Sequence, residues 1–142
     1  MGAPVFDPSA GTVQMSSRGV EAYRKNQVES ASPVGLVVML YDGALRSAAE
    51  ARAAIERRDV AGRTKAISRM IGIVGELRGT LDMEQGGEVA ASLDRLYTFV
   101  SERLIEASFT QAVGPLDEAV KVLTPLRDGW VQLATQPPPE RP

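Results

Sequence analysis

The side chains best suited to acid–base chemistry in this sequence are two closely spaced pairs of carboxylates, Asp82 with Glu84 and Glu102 with Glu106. Such spacing is also ordinary on the solvated face of a helix, so it does not indicate catalysis by itself. The sequence has no His and no Cys, which excludes Ser-His-Asp and Cys-His nucleophiles and nearly all zinc sites within one chain. It also lacks the glycine-rich motifs that bind phosphates. We therefore expect no enzymatic activity, no cofactor and no bound metal.

A cluster of basic residues follows position 56 and consists of Arg57, Arg58, Arg63 and Lys65. Closely spaced cations can follow a nucleic-acid backbone, but acidic residues interrupt this cluster and no aromatic residue lies beside it for base stacking. The chain has a formal net charge of -2 and a pI of about 5.2, which gives no general attraction to polyanions. We interpret the cluster as a solvated helix end and expect no nucleic-acid partner.

The composition favours one domain built from helices. The chain has 142 residues, of which 44% are hydrophobic but only 5% aromatic, so its core must consist mainly of aliphatic side chains and alanine. The longest apolar run, residues 31–41, is shorter than the roughly 20 residues that a helix needs to cross a bilayer, so we expect no membrane insertion. Residues 1–17 do not resemble a secretory signal, and the lack of Cys is compatible with a cytoplasmic location, which we predict.

The two ends of the chain differ from its middle. Residues 1–16 are rich in proline and glycine, and residues 136–142 are rich in proline. We predict that both ranges are disordered tails. Residues 17–135 contain no linker, so they are predicted to form a single domain. Within it, residues 18–28 form a short amphipathic segment with Val20 and Tyr23 on one side.

Four stretches of the middle region show apolar residues at helical spacing. The first helix is predicted to begin at Ser32, a good capping residue, with Pro33 in its first turn, and to run to about Arg57 or Arg58. The apolar stripes predicted for the four buried faces are Val37, Tyr41, Ala44, Ala48, Ala51 and Ile55; Ile67, Met70, Val74, Leu77 and Leu81; Val89, Leu93, Leu96, Val100, Leu104 and Ala107; and Leu116, Ala119, Leu123, Leu126, Trp130 and Leu133. Gly86-Gly87 and Gly114-Pro115 are predicted to separate the last three helices.

Short connections between helices of this length favour antiparallel neighbours. The predicted fold is therefore an all-α, antiparallel, up-down four-helix bundle, with residues 18–28 as a short additional helix or lid. A bend is expected at Pro125, because proline removes a backbone hydrogen bond from the helix interior. Gly72, Gly75 and Gly79 lie within the second helix; close packing against a neighbour is the preferred explanation, and a shallow groove for a partner backbone is the alternative.

The start of the first helix is more apolar than a bundle core requires. Residues 34–41 are apolar around almost the whole helix, so part of this surface must be covered by something other than the bundle. This apolar surface would be covered if residues 18–28 fold back over it, if a partner helix binds to it, or if the protein self-associates. The first two explanations are compatible if residues 18–28 form a displaceable lid.

Several short motifs in this sequence resemble those of one known family. At the amino-terminal side these are residues 19–23 (GVEAY), 28–33 (VESASP) and 39–44 (MLYDGA); later blocks are residues 81–84 (LDME), 86–88 (GGE), 93–97 (LDRLY), 103–107 (RLIEA) and 126–130 (LRDGW). Taken together and in this order, they are similar to the FliS family of flagellar secretion chaperones across residues 17–134.

The resemblance implies a cytoplasmic helical bundle that binds the disordered carboxyl-terminal segment of flagellin, prevents its premature polymerisation and delivers it to the flagellar export gate. A helical adaptor that binds a regulatory protein is the alternative function. The apolar surplus and the matched motifs together indicate Val20 and Tyr23 as lid and contact residues, and Met39, Leu40 and Tyr41 as the wall of a binding groove. Packing inside the bundle remains the alternative for each of these residues.

Overall fold

The structure, a computed structural model, describes residues 32–135, which form four helices. We number them α1 (Pro33–Glu56), α2 (Val60–Gly79), α3 (Met83–Thr110) and α4 (Val113–Thr135). Each helix packs against the next, and α4 packs back against α1. The prediction of an all-α four-helix bundle is therefore confirmed.

Ion pairs between helices show that neighbouring helices run in opposite directions. Asp42 near the start of α1 pairs with Arg127 near the end of α4, whereas Arg52 later in α1 pairs with Asp117 at the start of α4. Sequence number therefore rises along α1 as it falls along α4. The predicted tails and the predicted lid segment, residues 18–28, lie outside the described residues.

Local capping explains where α1 begins and ends. The backbone N–H of Gly35 donates to Ser32 Oγ at 3.0 Å, and Pro33 occupies the first turn, as predicted. The helix ends at Glu56, one residue before the predicted range. Arg58 then takes a left-handed φ of 59°, and Asp59 caps α2 by accepting from the N–H of Gly62 at 2.9 Å. That hydrogen bond lowers the pKa of Asp59.

The core is built from one stripe of each helix, and most of the predicted positions are buried. The buried members of the apolar core are Tyr41, Ala44, Ala48, Ala51, Ala66, Ile67, Met70, Val74, Leu77, Tyr97, Val100, Leu104, Ala107, Leu116, Ala119 and Leu123. Alanines supply much of the α1 stripe, so neighbouring helices can approach it closely.

The predicted buried stripes were wrong at one position of α4 and two positions of α3. Leu133 of α4 is 53% exposed. Val89 is 69% exposed and Leu96 is 37% exposed, whereas the adjacent Ala90 and Tyr97 are buried. The helix also begins earlier than predicted, at Met83, with a break at Gly87, where φ is 51° and ψ is -127°. The predicted break at the two glycines is therefore present at Gly87, although it lies inside α3 and not before it.

Two further boundaries differ from the sequence prediction. Leu81 was assigned to the second helix but lies in the connection after α2, because α2 ends at Gly79 and Asp82 caps α3. The chain turns between α3 and α4 at Gln111, which has a left-handed φ of 56°. Gly114-Pro115 lies in the first turn of α4 and does not separate the helices, because a proline there needs no helical hydrogen-bond donor.

The close-packing explanation for the glycines of α2 was also wrong. A Cβ atom added at Gly72, Gly75 or Gly79 would meet no atom within 4 Å, because all three positions face solvent. Helix α4 continues through Pro125, and the bend predicted there stays a prediction. Within residues 32–135, no helix has both the length and the apolar character needed to cross a membrane.

A candidate partner-binding groove

One end of the bundle carries an apolar groove with a volume of about 620 Å³. Its walls come from the start of α1, the connection between α2 and α3, the start of α3 and the last third of α4. The lining residues are Pro33, Val34, Leu36, Val37, Leu40, Thr80, Leu81, Asp82, Gln85, Gly86, Val89, Ala90, Leu93, Tyr97 and Trp130. Apart from the Tyr97 hydroxyl and the Trp130 indole N–H, only Thr80, Asp82 and Gln85 contribute polar side-chain atoms, so the groove suits an apolar ligand.

Two of the polar side chains in the groove form hydrogen bonds within the protein. Asp82 accepts hydrogen bonds from the N–H groups of Glu84 and Gln85 at 3.1 and 3.0 Å, so its carboxylate is engaged in capping α3. Thr80 donates its hydroxyl to the carbonyl oxygen of Leu77 at 2.6 Å. These interactions fix the α2–α3 connection as a wall and leave little polar capacity directed at a ligand.

The aromatic side chains beneath the groove connect it to the core. The hydroxyl groups of Tyr41 and Tyr97 lie 2.6 Å apart and are buried, and their ring centroids are 6.5 Å apart. Burial raises the pKa of both hydroxyls above the ordinary value of 10.0, so both stay neutral at physiological pH. The pair therefore joins α1 to α3 across the bundle directly below the groove.

Ion pairing fixes the fourth wall against the first. Arg127 Nε donates to Asp42 Oδ1 at 2.8 Å, which links α4 to α1 one turn before Trp130. The hydrogen bond to Asp42 raises the pKa of the Arg127 guanidinium, so this side chain remains a cation at any relevant pH. Trp130 is partly buried and packs against the core while it also lines the groove.

The sequence-predicted site residues fall in different places. Leu40 lines the groove, Met39 is 41% exposed and does not line it, and Tyr41 is buried beneath it with no exposed surface. Tyr41 therefore contributes to the groove by supporting its wall in this structure. Val20 and Tyr23 lie outside the described residues.

The sequence did not identify most of the other residues that line the groove. Leu81, Tyr97 and Trp130 line the groove, but Leu81 and Trp130 were assigned only to core stripes and Tyr97 was not assigned to a stripe. A stripe of apolar residues on one helix does not show where neighbouring helices diverge, so these residues gave no separate signal. In the described part of the chain, no group of three or more acidic side chains is arranged to hold a metal ion.

Comparison with known proteins gives a consistent result. The family model for flagellar protein FliS matches residues 16–137. The flagellar secretion chaperone FliSB of Pseudomonas aeruginosa is 41% identical over 104 residues, which cover 73% of this chain and 82% of the relative. FliS of Salmonella typhimurium is 34% identical over 124 residues, covering 84% and 92%, and FliS of Bacillus subtilis is 33% identical over 111 residues, covering 78% and 82%.

The match to the family model extends over the four helices and over the residues that form the groove. The alignment with the Salmonella relative alone covers nearly the full length of that protein. The chain therefore belongs to the FliS family of flagellar secretion chaperones.

Proposed function

We propose that this chaperone binds the disordered carboxyl-terminal segment of flagellin in the apolar groove, in the cytoplasm, and delivers it to the flagellar type III export apparatus. The observation that carries the proposal is the groove itself, about 620 Å³ of mostly apolar space at one end of the bundle. Family membership supports a flagellar client in general.

The chemistry of the groove supports an amphipathic helix as the bound form of the client. Leu36, Leu40 and Leu93 offer aliphatic contacts, and Trp130 adds a flat aromatic surface. A helix that places apolar residues three and four positions apart would bury them here, in the manner of other helix-in-groove complexes. Burial of these residues removes the contacts by which the client would associate with other copies of itself.

Release of the client is compatible with this mode of binding. A segment that is disordered when free must lose conformational entropy on binding, at a cost of about 2–5 kcal/mol. That cost lowers the affinity without reducing the area of the interface. The export apparatus can then remove the client without any reaction catalysed by the chaperone.

Residues 18–28 are proposed as a displaceable lid over the same groove, with Val20 and Tyr23 as its contact residues. The support is positional, since residue 31 precedes Ser32 directly and Pro33 is part of the groove wall. Such a lid would keep the groove covered when no client is present, and the client would displace it on binding.

The proposal is tested by calorimetric titration of the full chain with a synthetic peptide of the flagellin carboxyl-terminal segment. Leu36 lines the groove but is not part of the packed core, so Leu36→Asp should weaken binding by about tenfold or more and leave the fold intact. The matched control is Phe109→Asp, because Phe109 is 82% exposed near the other end of α3. Equal affinities for the two variants would contradict the proposal.

A further inference from the structure

The first turn of α3 is joined to the rest of that helix by the break at Gly87. We call residues 82–86 the wall turn, because Asp82, Gln85 and Gly86 line the groove. At Gly87 φ is 51° and ψ is -127°, a combination that glycine adopts readily and that L-residues with a Cβ atom avoid. The position of this part of the groove wall therefore depends on one glycine.

The constraint at Gly87 comes from the backbone and not from crowding. A Cβ atom added there would meet no atom within 4 Å, and the residue is exposed. A helical conformation at this residue differs from the observed one by about 110° in φ and about 85° in ψ. Because the chain is helical on both sides of Gly87, that change would produce one continuous helix and carry the wall turn away from its present place.

The hydrogen bonds of the wall turn are local. The side chain of Asp82 accepts from the N–H groups of Glu84 and Gln85, and its carbonyl oxygen accepts from the N–H of Gly86 at 2.7 Å. Among residues 32–135, no ion pair or side-chain hydrogen bond joins residues 82–86 to another helix, and residues 82–85 are exposed. A segment held in this way changes position at a low cost in free energy.

The chain is anchored on both sides of the wall turn. Leu81 packs against the core before the turn, and Ala90 is buried after it. Gly86 rests directly on the anchored part of α3, since a Cβ atom added at Gly86 would lie 2.7 Å from Cβ of Ala90. Leu81 also lines the groove, so movement of the wall turn displaces a second part of the groove wall.

We propose that α3 is a conformational switch for the groove: the helix broken at Gly87 forms the groove wall, and the continuous helix removes it. This inference rests on the groove being the client site. A client that binds in the groove selects the broken form, and a shift to the continuous form releases the client. The exchange is possible because glycine passes between the two conformations without steric hindrance.

The test compares alanines of opposite hand at position 87. L-alanine favours the helical conformation there. For D-alanine the observed angles are instead the mirror image of an extended conformation that L-residues adopt freely, so it favours the broken form. Because the chain has no Cys, both proteins can be made by ligating two fragments at a cysteine that is then desulfurised to alanine.

Calorimetric titration of both chains with the flagellin carboxyl-terminal peptide measures the effect. The D-alanine chain should retain wild-type affinity, and the L-alanine chain should bind about tenfold or more weakly. The matched control is Gly75→Ala, which adds a methyl group to a helix away from the groove and should retain wild-type affinity. Equal affinities of the L-alanine and D-alanine chains would overturn the proposal, as would weakened binding by the D-alanine chain.

A second variant moves the wall turn without a change at Gly87. Gly86→Ala forces the turn away from Ala90, so it should also weaken peptide binding about tenfold. Far-UV circular dichroism verifies that each variant retains the helix content of the bundle. Wild-type affinity in Gly86→Ala would contradict the proposal even if L-alanine at position 87 unfolds the chain.

Nuclear magnetic resonance of the client-free chain tests the switch separately from the proposed function. Relaxation dispersion should show exchange on the μs–ms timescale at residues 84–88 of the wild-type chain, and D-alanine at position 87 should suppress it. The same exchange in both chains, or none in the wild-type chain, would overturn the switch. If the wild-type chain fails to bind the flagellin peptide, the proposed function is wrong, and this measurement still decides whether α3 switches.

Discussion

The two ends of the bundle are packed in different ways. At the end where α1 finishes and α2 begins, which we call the closed end, α1 contributes Ala51 and Ala54, both buried. At the groove end, the same helix contributes Val37 and Leu40, which are only partly buried although they pack against the core. Small side chains allow close helix contact, and larger ones at the groove end leave apolar surface that the four helices do not cover.

Both ends of the bundle have ion pairs and helix caps. Arg52 pairs with Asp117 and Asp59 caps α2 at the closed end, whereas Asp42 pairs with Arg127 and Asp82 caps α3 at the groove end. The groove end differs in that α3 begins there with one helical turn that is offset by the break at Gly87. The same four helices therefore provide a stable scaffold at one end and a binding surface at the other, and the following changes test that difference.

Leucine-to-alanine substitutions should show the largest difference in stability between the two ends of the bundle. Leu104 is fully buried near the closed end, so Leu104→Ala should lower the free energy of unfolding by about 2–5 kcal/mol. Leu36 in the groove is half-buried, and Leu36→Ala should cost about 1 kcal/mol or less. Urea denaturation followed by circular dichroism measures both values. Similar losses at the two positions would show that the groove is part of the core.

The tyrosine pair marks the boundary between groove and core. Tyr41→Phe leaves the buried hydroxyl of Tyr97 without its partner, so the free energy of unfolding should fall by about 1–3 kcal/mol. The double variant Tyr41→Phe with Tyr97→Phe should recover part of that loss, because no unpaired hydroxyl remains. A double variant that is less stable than Tyr41→Phe alone would contradict this account.

The same pair predicts a dependence on alkaline pH. Because burial raises the folded pKa of both tyrosines above 10.0, their contribution to stability is complete below that pH and is lost progressively as the pH rises above it. Chemical denaturation at several alkaline pH values measures the loss. A flat profile would show that the hydroxyls reach solvent in the folded state.

A substitution on the solvent-facing side of α2 should have the smallest effect on stability and on client binding. Gly75→Ala introduces a methyl group into open space, so it should raise the free energy of unfolding by about 1 kcal/mol through helix propensity alone. The affinity for the flagellin peptide should stay unchanged, because Gly75 does not line the groove. Weaker binding in this variant would instead place the client backbone against the glycines of α2.

The sequence predicted the helices better than the groove. Ser32 and Pro33 marked the start of α1, because capping depends only on neighbouring residues. Val89 and Leu96 were misplaced because the break at Gly87 and the exact rotation of α3 are set by its neighbours. Leu40 was assigned to the groove because the start of α1 has more apolar residues than a core requires.

The remaining groove residues depend on relations between helices. Trp130 and Leu81 come from positions far apart in sequence and meet Leu36 only when all four helices are assembled. Periodicity gives the direction of a side chain within one helix but not the separation of two helices.

The fluorescence of Trp130 provides the most direct test of groove occupancy. It is the single tryptophan of the chain and it lines the groove, so its emission reports on that site alone. Titration with a tryptophan-free flagellin carboxyl-terminal peptide should shift the emission to shorter wavelength and saturate at the same peptide concentration as the calorimetric signal. Calorimetric binding with unchanged Trp130 emission would contradict the assignment of the groove as the client site.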